Sequence, residues 1–337
     1  MGSYSSNHRV LSGMRPTGAL HLGHYHGVLK NWIQLQKEKP CFFFVADWHA
    51  LTTHYESPGI LGESLLEMVV DWLATGVDPS SATLFIQSRV PEHAELHLLL
   101  SMVTPVSWLE RVPSYKDQRE KLKGKDLATY GFLGYPLLQS ADILIYQAQH
   151  VPVGEDQVAH VELTREVARR FNHLYAKEKQ PILTEPAALL TPASKMPGLD
   201  GQKMSKSYGN TLSLREPPDS IQKKLRAMPT DPARVRRKDP GDPAKCPVWG
   251  FHEVYSGEEV LAWAQQGCRS AGIGCLDCKR PIIEAVIAET SHFREQAQEC
   301  LDKGTWVKDI VEEGCAKARS VAQETLGEVR RAMGLIF

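Results

Sequence analysis

The sequence predicts an α/β protein: a doubly wound parallel sheet forming one domain, with a smaller helical domain behind it. Three observations carry this. Apolar runs of strand length alternate with helix-period segments through the first half of the chain. The run Cys41-Phe42-Phe43-Phe44-Val45-Ala46 is apolar at every position, as a parallel strand covered on both faces requires. After about Leu214 the alternation stops, and helical periodicity alone continues to the end.

Taken in order, Arg9 to Met14 reads as the first strand, broken by Pro16 and Gly18. A helix follows from about Leu20 to Lys37, with Leu22, Leu29, Trp32, Ile33 and Leu35 on its apolar side. The all-apolar strand comes next, then a helix from Glu63 to Thr75 and a strand from Ala82 to Gln87. Tyr135, Gln139 and Asp142 recur at helical spacing, in a helix that Pro136 is suited to begin. Seven prolines from Pro217 to Pro247 then punctuate a basic, loop-rich stretch. Helices are expected over Glu258 to Gln266, Pro281 to Leu301 and Trp306 to Met333. Ligands of such a sheet bind beyond the carboxyl ends of its strands.

Composition narrows the function classes. With 337 residues, 42% hydrophobic and 23% charged, the chain suits a globular protein of two domains. Its net charge of −1 supplies no general attraction to nucleic acid. Contacts with RNA therefore need local clusters such as Lys223-Lys224-Leu225-Arg226 or Arg234-Val235-Arg236-Arg237-Lys238, which read equally well as solvated faces. The amino terminus lacks a signal pattern, and no apolar stretch is long enough to span a bilayer. Seven cysteines, an odd number, fit a reducing compartment. A cytoplasmic location is expected, with neither a membrane nor DNA as partner.

Two short motifs describe one chemical task. His21-Leu22-Gly23-His24 places two imidazoles at a glycine-opened helix start, where the helix dipole already favours anions. Lys203-Met204-Ser205-Lys206-Ser207 places two lysines three apart in a Gly- and Ser-flanked loop able to fold over a triphosphate. Read singly, the first is a routine strand–helix turn. Together they resemble the paired motifs of class I aminoacyl-tRNA synthetases, and nearly the whole chain is similar to the tryptophanyl family. The run Val151-Pro152-Val153-Gly154-Glu155-Asp156-Gln157, continuing to His160, is the most specific match, and Thr325-Leu326 to Gly334-Leu335 fits as well.

The resemblance implies a Rossmann-type catalytic domain over 1–197, a mobile loop over 198–214 and a helical anticodon-binding domain over 215–337. It implies ATP bound with Mg²⁺ by Arg15, Pro16, Thr17, Gly23, His24, Gly154, Glu155, Asp156 and Lys203 to Ser207. His21, His24, Arg15, Lys203, Ser205, Lys206 and Lys116 would assist the loss of pyrophosphate. Arg15 departs from the glutamine usual there. Tryptophan would lie against Leu11, Gly13, His49, Tyr135, Gln139, Asp142, Val151, Val153 and Gln157, with Asp142 accepting the indole N–H. Asp156 would meet the ribose hydroxyls, its plain alternative being a helix N-cap. The partners implied are tRNA(Trp) and a second copy of the chain.

Gln139 replaces the methionine that most tryptophanyl enzymes carry, and Tyr135, Gln139, Asp142 and Gln157 reproduce a pattern of archaeal and eukaryotic tyrosyl enzymes. Leu11 stands where those enzymes place a phenol-binding tyrosine, which favours tryptophan. A more polar ring pocket, admitting tryptophans with polar substituents, is expected. Cys246, Cys268, Cys275 and Cys278 form C-x21-C-x6-C-x2-C, matching a four-cysteine pattern that holds a 4Fe-4S cluster in some bacterial members. Zinc, and thiols without a metal, are the other readings. The rival functions are tyrosine activation, a pantothenate-synthetase-like ligase sharing the His-x-Gly-His helix, and a repurposed RNA-binding or regulatory paralogue.

Overall fold

In the computed structural model, residues 8–113, 129–176, 180–190 and 196–335 are described. Five parallel strands, β1 (Val10–Met14), β2 (Cys41–Val45), β3 (Ala82–Ile86), β4 (His150–Val153) and β5 (Ala187–Leu190), form one sheet in the order β3-β2-β1-β4-β5. β1 and β2 pair from Val10↔Cys41 to Met14↔Val45, and β2 and β3 from Cys41↔Ala82 to Val45↔Ile86. The chain steps from β1 to β2 on one side and later returns to place β4 on the other. The crevice between β1 and β4 is therefore the switch point at which open α/β sheets bind ligands.

Every residue of β2 and β3 is buried, as their unbroken apolar runs require. Helices cover both faces. The first helical run comprises α1 (Leu22–His24), a π-helical turn (Tyr25–Leu29) and α2 (Lys30–Leu35). Its fully buried Trp32 stacks on Phe43 with ring centroids 4.1 Å apart and meets Trp72 edge-on. The π turn is absent from the expectation of a plain helix over 20–37. It brings His26 round to Tyr255 and Glu289, at 3.0 and 3.1 Å. Then come α3 (Asp47–His54), α4 (Gly59–Ala74), α5 (Glu92–Ser101), α6 (Val106–Glu110), α7 (Tyr130–Ile145) and α8 (Val158–Tyr175).

Two expected helix starts are wrong. α7 does not begin at Pro136: it starts at Tyr130, capped by Thr129, whose hydroxyl accepts from the Phe132 amide at 3.2 Å, and Pro136 lies inside. The cap outweighs the preference of proline for a first turn. Pro281 is likewise internal to its helix.

Beyond Leu214 the chain is helical: α9 (Pro218–Ala227), α10 (Trp249–Tyr255), α11 (Glu258–Arg269), α12 (Cys275–Asp302) and α13 (Trp306–Ala332). Buried Lys279 donates to the carbonyls of Arg226 and Met228, at 2.8 and 2.6 Å, satisfying the carboxyl end of α9. α13 lies along the open edge of β3. A Cβ on Gly314 would stand 1.8 Å from the Leu84 carbonyl oxygen, so only glycine permits this approach.

Candidate active site at the carboxyl edge of the sheet

The histidine pair sits at the head of the first helical run. The Gly23 amide donates to Nδ1 of His21 at 3.1 Å, and the His21 amide donates to Nδ1 of His24 at 3.2 Å. With Nδ1 accepting on both rings, a neutral imidazole must carry its proton on Nε2. Burial, then the charge of Lys206, lowers the His21 pKa from its ordinary 6.5 to about 4. Burial, then His21 and Lys206, holds His24 well below its ordinary value. Both rings are therefore neutral near pH 7, each presenting an Nε2–H donor rather than a cation.

The lysine loop packs directly on this helix tip. Met204 is buried, and a Cβ on Gly23 would stand 3.3 Å from its Cβ and 2.9 Å from the His21 ring. Lys206 Nζ donates to the carbonyls of Thr17 and Gly18 at 3.1 and 2.8 Å, joining the loop to the turn after β1. Backbone pairing continues the junction: Leu22 donates to Leu212, and Leu214 to Leu20, both at 3.0 Å. Lys203 points to solvent.

Asn210, which the sequence reading missed, organises the loop from beneath. It is buried; its Oδ1 accepts from the Ser205 amide at 2.8 Å, and its Nδ2 donates to Asp200 Oδ1 at 2.7 Å and the Lys203 carbonyl at 3.2 Å. A buried amide with both ends engaged fixes loop shape. Its position just past the motif, before a buried Leu212, was the available signal.

The expected ring pocket centres on Asp142, which is 1% exposed. His49 Nε2 lies 2.6 Å from its Oδ2; His93 Nδ1 and Gln87 Nε2 lie 2.6 and 2.8 Å from its Oδ1. Burial opposes ionisation, but these neighbours win and hold the carboxyl far below its usual range. An ionised carboxylate has about four acceptor sites. Three are taken, so one remains, on Oδ2. Gln87 and His93 were not anticipated, although they follow directly on the carboxyl end of β3.

The other expected residues fall as follows. Leu11, Val151 and Val153 are buried in β1 and β4, and Gly13 is exposed at the end of β1. Gln139 is half-buried on α7, one turn before Asp142. Tyr135 lies one turn earlier still, its ring centroid 5.6 Å from that of buried His160. Arg15 is exposed and close enough to Tyr135 for the phenol to act on its charge. Pro16 is buried and Thr17 half-buried beside it. Gly154, Glu155 and Asp156 are exposed after β4; Gln157 donates to Asp156 Oδ2 at 3.3 Å. Asp156 is not a helix N-cap: α8 is preceded by Gln157, which makes no capping bond. Lys116 lies outside the described residues. A separate concavity of about 390 Å³, lined by Trp48, Tyr55, His97, Tyr130 and Leu138 among others, shares α3, α5 and α7 with the ring pocket but none of the groups that bond Asp142.

The four cysteines occupy one neighbourhood in the helical part. Burial pushes the Cys278 thiol up to about 12, and Cys246, Cys268 and Cys275 add to the shift. Cys278 Sγ lies 3.2 Å from His252 Nε2, and Arg234 Nη1 lies 3.9 Å from Cys268 Sγ. Four thiols suit iron or zinc chemically. Among the described residues, however, no three His, Cys, Asp or Glu side chains form a group that could hold a metal ion.

A parallel sheet of this order, with a histidine helix tip interlocked with a lysine loop at its carboxyl edge, is the architecture of class I aminoacyl-tRNA synthetases. The model of the family "tRNA synthetases class I (W and Y)" matches residues 4–289. The chain belongs to that family. It is 58% identical over 395 residues to a tryptophan–tRNA ligase of Ralstonia nicotianae, covering 98% of this chain and 99% of the relative. It is 52% identical to that of Thermotoga maritima, covering 98% and 100%. Its fold is similar to the tryptophanyl-tRNA synthetase of Campylobacter jejuni solved with ADP and tryptophan, with a TM-score of 0.87 at 34% identity over 97% and 100% of the two chains.

Proposed function

We propose that this chain is a tryptophan–tRNA ligase. It joins the carboxylate of tryptophan to the α-phosphate of ATP, releasing pyrophosphate, and passes the acyl group to the 3′ end of tRNA(Trp). The observation that carries the reading is the junction of Lys206 with the Thr17–Gly18 turn beside the His21–His24 tip. It sets two kinds of donor, neutral imidazole N–H and ammonium, around one space at the switch point.

The amino-acid carboxylate is itself the nucleophile, so the protein supplies position and charge. Nε2–H of His21 and His24 donates to phosphate oxygens. Lys206 exchanges its two carbonyl partners for the departing pyrophosphate, and Lys203 closes from solvent, stabilising charge as it develops. Mg²⁺ accompanies the phosphates and needs few protein ligands. Asp156 takes the ribose hydroxyls. The last acceptor site of Asp142 takes the indole N–H, a donor-only group. The Gln139 side chain forms no hydrogen bond among the described residues and gives the ring pocket a polar wall that admits substituted tryptophans.

Residues 1–197 perform the chemistry, 198–214 close over ATP, and 215–337 contact the anticodon of a tRNA bridging two copies in the cytoplasm. Cys246, Cys268, Cys275 and Cys278 would hold a 4Fe-4S cluster in that last part once the thiols draw closer than they stand in this structure; the support is their donor chemistry and shared neighbourhood. Iron and sulfide analysis of anaerobically purified protein tests it, and a colourless, iron-free preparation refutes it. The activity is tested by amino-acid-dependent exchange of pyrophosphate into ATP. Tryptophan should support exchange and tyrosine should not; a folded sample inactive with every amino acid refutes the reading.

A further inference from the structure

We propose that His93 is a positioning residue for amino-acid selection: it orients the Asp142 carboxylate so that its one open acceptor site faces the substrate ring. The inference rests on the reading of the chain as a tryptophan-activating ligase. His93, on α5, is 0% exposed and touches neither the nucleotide side nor solvent. Its Nδ1 lies 2.6 Å from Asp142 Oδ1, and its Nε2 lies 2.6 Å from the Tyr146 hydroxyl. An ionised carboxylate only accepts, so Nδ1 carries a proton. In the neutral ring Nε2 then accepts from Tyr146, whose phenol burial holds well above its ordinary pKa and so keeps protonated.

The result is a chain of directed bonds, Tyr146 O–H to His93 to Asp142. Gln87 adds a second donor at the same oxygen, at 2.8 Å. Two donors on Oδ1 fix the carboxylate plane, because any rotation breaks both. Oδ2 is left with His49 alone, the only one of the three donor residues with side-chain access to solvent, at 12%. The free lone pair therefore lies on the oxygen shared with the partly exposed His49. α5 is held from its other side as well: Glu92, next to His93, accepts from Arg319 at 2.8 Å and Gln323 at 2.9 Å on α13. The ring that aims Asp142 is thus clamped between the pocket and the carboxyl-terminal helix.

The test compares tryptophan with β-(3-benzothienyl)alanine, in which sulfur replaces the ring N–H, in pyrophosphate exchange. His93→Phe keeps a ring but removes the donor; His93→Asn keeps a donor near Nδ1; Tyr146→Phe loosens the far end. His93→Phe should raise KM for tryptophan about 10- to 100-fold, with the loss falling on KM rather than kcat. KM for the sulfur analogue should stay within about threefold, so discrimination collapses. His93→Asn should restore most of it, and Tyr146→Phe should move it the same way by less. Equal losses on both substrates, or unchanged discrimination, overturn the proposal. If His93→Phe does not fold, the same criteria apply to Tyr146→Phe. Failure of the parent protein to exchange with tryptophan would refute the activity itself, a separate outcome.

Discussion

Replacing Asn210 by alanine should unfasten the lysine loop while sparing the body of the protein. The side chain makes three bonds, to the Ser205 amide, Asp200 and the Lys203 carbonyl, at 2.8, 2.7 and 3.2 Å. The two bonds to backbone groups are neutral and contribute about 1 kcal/mol each net. Asp200 is exposed, so its bond competes with water and adds little. The closed arrangement of the loop therefore loses about 2–3 kcal/mol, and about 100-fold in population relative to open forms is the working figure. Two measurements read it: kcat/KM for ATP in pyrophosphate exchange should fall about 100-fold, and native-state trypsin should cut after Lys203 or Lys206 faster by a similar factor. The melting temperature should fall by only a few degrees. If ATP kinetics and cleavage stay unchanged while the melting temperature drops by ~10 °C or more, Asn210 supports the core rather than the loop, and the reasoning fails.

Three further outcomes follow from the same geometry. Gly23→Ala places a Cβ 2.9 Å from the His21 ring and 3.3 Å from Met204, which should raise KM for ATP at least ~10-fold in exchange kinetics while tryptophan binding, followed by fluorescence quenching, changes little. Lys206→Gln should lower kcat for exchange by about 10²–10³ without weakening tryptophan binding, and a loss below tenfold would contradict its place beside the pyrophosphate. Acid should destabilise the fold through His21 and His160, whose pKa values burial lowers to about 4. Their unfolded values lie near 6.5, so between 6.5 and 4 the unfolded chain takes up protons that the native state refuses, and stability falls as pH falls. Each ring contributes at most about 3 kcal/mol across that window, and urea titrations of His160→Gln should show a shallower loss.

The parts of the fold that follow one rule were legible in the chain. β1, β2 and β3 fall within a residue of their expected positions because strands covered on both faces must be apolar throughout. The long carboxyl-terminal helices were plain in kind, although the one expected from Pro281 begins at Cys275. What escaped was set by partners distant in sequence. The π turn at Tyr25–Leu29 has no local marker; it coincides with His26 reaching Tyr255 and Glu289, more than two hundred residues away. The start of α7 was misplaced because Pro136 is a louder signal than the cap at Thr129. Asp142 was read as an acceptor with no account of its own donors, because His49, Gln87 and His93 come from three different elements and no spacing rule joins them. The motifs were plain in the chain; the residues that hold them in shape came only with the fold.

The approach of Gly314 to Leu84 has a consequence for how the molecule is made. Synthesis runs from the amino terminus, and the sheet is complete once β5 has emerged. The outer amides and carbonyls of β3 nevertheless stay bare until well over a hundred more residues have left the ribosome. A growing chain stalled in that interval carries an unprotected strand, the kind of surface to which a neighbouring nascent chain or a chaperone attaches. α13 is thus the piece that covers the sheet's exposed edge, and a chain truncated before it would be prone to self-association.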